Sequence, residues 1–253
     1  MKKIALQKDK IYEGDLILVN HNYPYNKDSA ESTLMPIEFN DNSILVKRQC
    51  ANIFTRLMDE LRSWEHIYMV SGFRSQQEQE QIYNESLLEN GAYFTAKYVA
   101  LPGCSEHQTG LALDLALNHS NIDFLRPYFP DTGVCGIFKK KANCYGFIER
   151  YPKGKENITS IANEPWHFRY VGVPHAALIN HFGDALEEYH ERLKQFPYGG
   201  TGLNCGFSGL SARLFYLPAD KEVSCFEIED DTIYTVSGNN IDGFIITVWG
   251  DNQ

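Results

Sequence analysis

Two short stretches carry the residue types of a hydrolytic metal site. The first is Ser105-Glu106-His107-Gln108-Thr109-Gly110-Leu111-Ala112-Leu113-Asp114, and the second, well downstream, is Glu164-Pro165-Trp166-His167. Together they hold two imidazoles, a carboxylate ligand and a spare glutamate. A catalytic zinc takes three protein ligands, keeps one position for water and has a base beside it. A zinc hydrolase is therefore the chemistry this inventory implies. Each stretch alone is weak, because a histidine followed by an aspartate is a common surface pair and Trp166 can be a core aromatic. Their conjunction, with a third block upstream, carries the reading.

Elements must position these groups. Leu111, Leu113, Leu115 and Leu117 alternate with Ala112, Asp114 and Ala116, so a strand here puts leucines on one face and a carboxylate between alanines on the other. Alanine neither covers that carboxylate nor competes for it. His107 follows the helix-breaking Leu101-Pro102-Gly103 and is expected in a loop or at the strand's start. Trp166 to Val171 reads as a second strand. On a strand Glu164 and His167 point to opposite faces, so a bend at Pro165 must re-aim Glu164 if both meet one metal.

The upstream block is Val70-Ser71-Gly72-Phe73-Arg74-Ser75. Ile67 to Val70 reads as a strand, and Ser75 with Glu78 forms a capping box. The following helix has Ile82, Leu87 and Leu88 on its apolar side and is expected to end at Gly91. Arg74 then sits at a strand-to-helix junction. It is either a local cap or a fixed guanidinium facing a developing oxyanion or a substrate carboxylate.

The motifs Ser71–Ser75, Ser105–Asp114 and Glu164–His167, in this order, resemble the D-Ala-D-Ala metallopeptidases of the VanX/VanY type, with most similarity to the bifunctional VanXY subgroup. The resemblance covers roughly residues 10 to 190, with Tyr151-Pro152-Lys153 and Phe168 to Gly172 also like that subgroup. It implies one zinc held by His107, Asp114 and His167, Glu164 as general base and Arg74 stabilising the tetrahedral intermediate. Gln79 and Ser105 would bind substrate. The implied activity is removal of D-Ala from D-Ala-D-Ala and from peptidoglycan pentapeptide precursors, linked to vancomycin resistance. The alternatives are an L,D- or D,D-carboxypeptidase restricted to peptidoglycan peptides, or a silent binding module. Cys104 is the rival ligand, but a fourth protein ligand would displace the water.

Composition is compatible with this. With 253 residues and 43% hydrophobic content the chain can bury one good core and a small second one. A net charge of −10 argues against a nucleic-acid partner. No apolar run approaches the ~20 residues of a membrane span, and the basic N-terminus lacks the apolar stretch of a signal peptide. The protein is expected in the cytoplasm, and its six scattered cysteines read as free thiols.

The expected fold class is α+β, an antiparallel sheet with flanking helices carrying the zinc site, plus a small C-terminal all-β appendage. The expected domains are 1–196, catalytic, and 197–253, an appendage of unknown role that docks on the first or on a partner subunit in a homodimer. Leu16 to Val19 reads as an early strand, and 46–63 and 135–145 as helices. A helical pair follows, its second member opened by Asp184, with His175, His181 and His190 at the surface and His190 paired with Glu187. Four short strands run over 212–218, 223–228, 232–236 and 243–249. The stretch from Asn90 to Gly103 is expected to border the substrate cleft.

Overall fold

The computed structural model describes residues 1–25, 33–38 and 41–250. In chain order its elements are β1 (Lys2–Gln7), β2 (Leu34–Glu38), β3 (Asp41–Lys47), α1 (Arg48–Leu61), β4 (Ile67–Ser71), α2 (Gln76–Tyr98) and β5 (Ala112–Leu117). There follow α3 (Gly133–Ala142), β6 (Phe147–Tyr151), α4 (Glu156–Thr159), β7 (Glu164–Tyr170), α5 (His175–Phe182) and α6 (Leu186–Leu193). The last five are β8 (Leu203–Phe207), β9 (Leu210–Pro218), β10 (Val223–Ile228), β11 (Ile233–Gly238) and β12 (Gly243–Trp249). The mixture of helix with antiparallel sheet, ending in all-β elements, is the α+β class expected.

The chain forms two compact units, Val19–Ala176 and Met1–Leu18 with Ala177–Gln253. The first is built on an antiparallel sheet of order β4-β5-β7-β6. Its alternation explains both of its faces. Leu113 lies opposite Phe168, and both enter a core with Leu111, Leu115, Phe147 and Tyr170. Helices α1 and α3 complete that core through Phe54, Leu57 and Phe138. On the other face Asp114 lies directly opposite His167, and Ala112 opposite Arg169. A hairpin of β2 and β3 precedes α1. Val46, read from the sequence as helical, is the sixth residue of β3, and the helix starts only at Arg48.

Helix α2 opens with the expected capping box. Ser75 Oγ accepts from the Glu78 backbone N at 3.2 Å, and the Ser75 backbone N donates to Glu78 Oε2 at 2.7 Å. Gly91 is a kink rather than an end: its φ of 80° breaks the helix, which resumes as far as Tyr98. Leu88 is 87% exposed, so the inward side of α2 is polar, with Gln79, Ser86 and Thr95 buried.

The second unit carries the sheet β11-β12-β9-β8 and the separate pair β1-β10. Its bounds differ from the 1–196 and 197–253 of the sequence reading for two reasons. β1, hidden in a polar N-terminus, pairs along its full length with β10, so the first residues go with the last. The Phe196 carbonyl accepts from Tyr216 N, and Tyr198 N donates to the Tyr216 carbonyl, both at 2.8 Å, which ties the stretch after α6 to β9. β8 was not expected from the sequence.

Leu16, Ile17 and Leu18 are buried as expected of apolar residues, but no strand forms there. Leu18 N instead donates to the Asn239 carbonyl at 3.0 Å. Helix α6 is capped at Ala185, whose N donates to Glu188 Oε2, while Asp184 takes a bidentate pair from Arg192. His190 is buried rather than at the surface, because it lies in the stripe Leu186, Tyr189, His190, Leu193 at helical spacing. His175 is buried too, and only His181 of the three is exposed.

Candidate functional site

One face of the four-stranded sheet and the N-terminal end of α2 border a cavity of about 360 Å³, within the range of small-ligand sites. It is lined by all seven residues singled out from the sequence: Arg74, Gln79, Ser105, His107, Asp114, Glu164 and His167. Ligand atoms of His107, Asp114 and His167 lie within 4.8 Å of one another, and all three residues are buried. Among the described residues no other such group of histidine, cysteine or acid side chains occurs. Cys104 is no member of it and lines a separate cavity of about 230 Å³.

Local structure explains each placement. Asp114 and His167 are direct cross-strand partners in β5 and β7. His107 sits in a 3₁₀ turn, Glu106–Thr109, that ends at Gly110 with φ of 69° and feeds β5. Its Nδ1 contacts the Gly72 carbonyl at 2.5 Å. Gly72 must be glycine here, because a Cβ would stand 2.5 Å from the Leu45 carbonyl oxygen of β3.

Glu164 required a correction to strand periodicity, and the structure supplies it. Between the pairs Glu149↔Phe168 and Tyr151↔Glu164 the register of β6 against β7 shifts, β7 advancing four residues while β6 advances two. This irregularity brings Glu164 to the same cavity as His167.

Asp114 is the centre of the polar network. Its Oδ2 lies 2.7 Å from Arg74 Nη2 and 3.0 Å from His107 Nε2, and its Oδ1 lies 2.9 Å from His167 Nδ1. Arg74 Nε also donates to Ser71 Oγ at 2.8 Å, and Nη1 reaches Gln79 Oε1 at 3.5 Å. Gln79 donates in turn to the Ala100 carbonyl at 2.9 Å. Arg74 is thus a member of the site, not a cap of α2.

The donor chemistry fits a cation. A carbonyl can only accept, so the contact to Gly72 places the His107 proton on Nδ1 and a lone pair on Nε2. Burial and then Arg74 lower the His107 pKa, which favours this neutral ring. Two acceptors, His107 Nε2 and Asp114 Oδ2, then face each other at 3.0 Å. A metal ion between them resolves that conflict, and two nitrogens with one carboxylate are a zinc-type set.

The remaining charges are shaped by burial. Burial disfavours the Asp114 carboxylate, and in the metal-free protein it is rings carrying a proton toward it, His107 and His167, that outweigh this and hold its pKa well below the usual value; a bound cation takes the place of those protons. Burial likewise opposes a charged His167, yet Asp114 and Glu106 push its pKa up to about 9. Glu164 is pushed up to about 8, by burial above all, against the pull of His167. Such displaced values cluster at functional sites.

The sequence reading assigned no role to Glu106, which lines the cavity, or to Arg150 and Arg169, and all three are fully or nearly fully buried. The Glu106 carboxylate accepts from Arg150 Nε and Arg169 Nη1, each at 2.8 Å. The available signal was the alternation in β7, which puts Arg169 on the His167 face. Of the stretch 90–103, Asn90, Tyr98, Val99 and Ala100 line the cavity. No helix among the described residues is long and apolar enough to cross a membrane.

Comparison with known proteins follows the same lines. Residues 43–173 match the family described as VanY, D-alanyl-D-alanine carboxypeptidase. The chain is 41% identical over 181 residues to the bifunctional D-Ala-D-Ala dipeptidase and D-Ala-D-Ala carboxypeptidase VanXYC of Enterococcus gallinarum, covering 71% of this chain and 95% of that protein. Its fold is similar to that of the vancomycin resistance D,D-dipeptidase VanXYg, solved with a D-Ala-D-Ala phosphinate analogue, with a TM-score of 0.95, 44% identity and 98% of each chain covered. A variant of the D,D-pentapeptidase VanY from a VanB-type cassette, solved with Zn(II), matches with a TM-score of 0.55 at 29% identity over 70% of this chain and 98% of that one.

Proposed function

Because the chain belongs to the VanY family of D-alanyl-D-alanine carboxypeptidases, we propose that it is a zinc-dependent D,D-peptidase acting on both the D-Ala-D-Ala dipeptide and the terminal D-Ala of peptidoglycan pentapeptide precursors. The reaction is the one associated with vancomycin resistance in its relatives. The observation that carries the reading is the convergence of His107, Asp114 and His167 in a cavity also lined by Glu164 and Arg74.

One zinc per chain is held by those three residues. When bound it supplies a Lewis acid for a peptide carbonyl and lowers the pKa of a water to about 7. Glu164 takes a proton from the attacking water at its carboxylate and passes it to the leaving amine, with no covalent intermediate. Its burial keeps competing water away from the transfer. Arg74, anchored by Ser71 and Asp114, holds a permanent charge where the scissile carbonyl gains negative charge. Gln79 and Ser105 present polar atoms along the same wall and orient the substrate.

Arg74→Ala is expected to lower kcat by ~10²-fold or more with a smaller effect on KM, since the guanidinium matters most as charge develops. Arg74→Lys should recover little, because lysine cannot span Ser71 and Asp114 with a planar fork. Steady-state kinetics at saturating zinc separate this from loss of metal. A defect confined to KM would reassign Arg74 to binding the substrate carboxylate.

The proposal is tested by measuring D-Ala release from the free dipeptide and from a pentapeptide side by side, before and after chelation and zinc restoration. Zinc-dependent release from both is expected. Release from the pentapeptide alone narrows the protein to a carboxypeptidase, and release from neither overturns the proposal.

A further inference from the structure

Two buried polar atoms next to the proposed zinc site have no hydrogen-bond partner: Glu106 Oε2 and His167 Nε2. They face each other at 3.6 Å. Were Glu106 only the counter-ion of two buried arginines, one oxygen for each would be the natural arrangement. Instead Arg150 Nε and Arg169 Nη1 both converge on Oε1, and Oε2 is turned toward the imidazole.

The His167 ring has little other freedom. Its centroid lies 5.0 Å from that of Tyr151, with 36° between the planes, and 5.0 Å from that of His107. Nδ1 points at Asp114 Oδ1, on the side where the ligand atoms gather. In the neutral ring that a metal ligand must be, packing leaves open which nitrogen carries the one proton. A proton on Nδ1 blocks a metal, whereas a proton on Nε2 leaves the Nδ1 lone pair free and satisfies both orphaned atoms at once.

We propose that Glu106 is a positioning residue that holds His167 in its Nε2–H form and so aims the Nδ1 lone pair at the metal. Ala112, opposite Arg169 in the sheet, is small enough to leave room for this arrangement on the cavity face. The proposal rests on the zinc site described above. It makes the residue before His107 in the chain a determinant of the other histidine ligand.

The test uses two variants and the unmodified protein. In Glu106→Gln the two guanidiniums keep the amide oxygen, which turns the amide NH₂ toward His167 Nε2 and favours the opposite tautomer. Zinc affinity, measured by chelator competition, should fall by ~10- to 100-fold, as for outer ligands of other metal sites. The nitrogen-15 spectrum of the metal-free protein, recorded at a pH high enough to leave the His167 ring neutral, should show its one proton moving from Nε2 to Nδ1. At saturating zinc kcat should fall more than KM. Glu106→Asp keeps the charge between the arginines but withdraws the carboxylate, and should weaken zinc binding without moving the proton to Nδ1.

A purely structural Glu106 lowers the melting temperature but leaves zinc affinity and tautomer unchanged, and that result in either folded variant overturns the inference. If neither variant folds, the unmodified protein decides, since zinc-loaded His167 protonated at Nδ1 refutes the inference and Nε2–H upholds it. An unmodified protein that binds no zinc at all overturns the site reading, and the inference with it.

Discussion

Asp114→Asn and His107→Ala are each expected to purify with zinc below ~0.1 per chain, against about one for the unmodified protein, and with no activity above background. Asp114 touches Arg74 and both imidazoles at 3.0 Å or less. Asparagine keeps its shape but removes the charge, so a fall in zinc cannot be ascribed to a cavity. His107→Ala removes a lone pair that the Gly72 carbonyl leaves facing the site. Metal analysis after dialysis, followed by chelation and zinc restoration, reads both effects. The unmodified protein should lose and regain activity, whereas the variants should regain none. Full zinc in both variants would exclude this ligand set.

The cluster of His107, Asp114 and His167 was legible because short-range rules decide much of it. Leucines at alternate positions fix the orientation of β5, and with it Asp114, whatever the rest of the fold does. Histidine and aspartate on adjacent strands then need only the correct register to meet, and Asp114↔His167 is that register. Glu164 was legible as a residue but not as a geometry. Strand periodicity sends it to the wrong face, and only the shifted pairing of β6 with β7 returns it to the cavity.

What stayed hidden depended on partners distant in the chain. Lys2–Gln7 is half charged or polar and becomes a strand only because β10 offers its edge. Glu106 reads as a surface acid, since unpaired glutamates are rarely buried, until Arg150 and Arg169 arrive from β6 and β7. His190 shows the converse: helical spacing alone places it in the buried α6 stripe, against the usual exposure of a histidine beside glutamates.

Glu164→Gln is expected to retain zinc and lose ~10²-fold or more in kcat, because glutamine fills the same space and cannot take up the proton. The same variant has a second readout in the metal-free protein. Burial pushes the Glu164 pKa from 4.5 up to about 8. An acid whose pKa is raised by folding binds its proton more tightly in the native state than in the unfolded chain. Its contribution to stability is therefore present at low pH and is lost progressively as pH rises from about 4.5 to about 8. Glutamine has no such proton, so the decline in melting temperature over this window should be shallower in the metal-free variant. The positive charge of a bound metal lowers the pKa of a neighbouring carboxylate, so zinc should reduce the difference between the two proteins. The pair of measurements separates two roles that one kinetic assay confounds. A variant within a few-fold of the unmodified kcat places the base elsewhere, and an unchanged pH slope means that Glu164 does not titrate in the buried cavity. If both effects appear, the group that costs stability in the empty site is the one that moves the proton in the loaded one. A buried, poorly solvated carboxylate is then kept because catalysis requires its raised basicity beside a cation, not because the fold does.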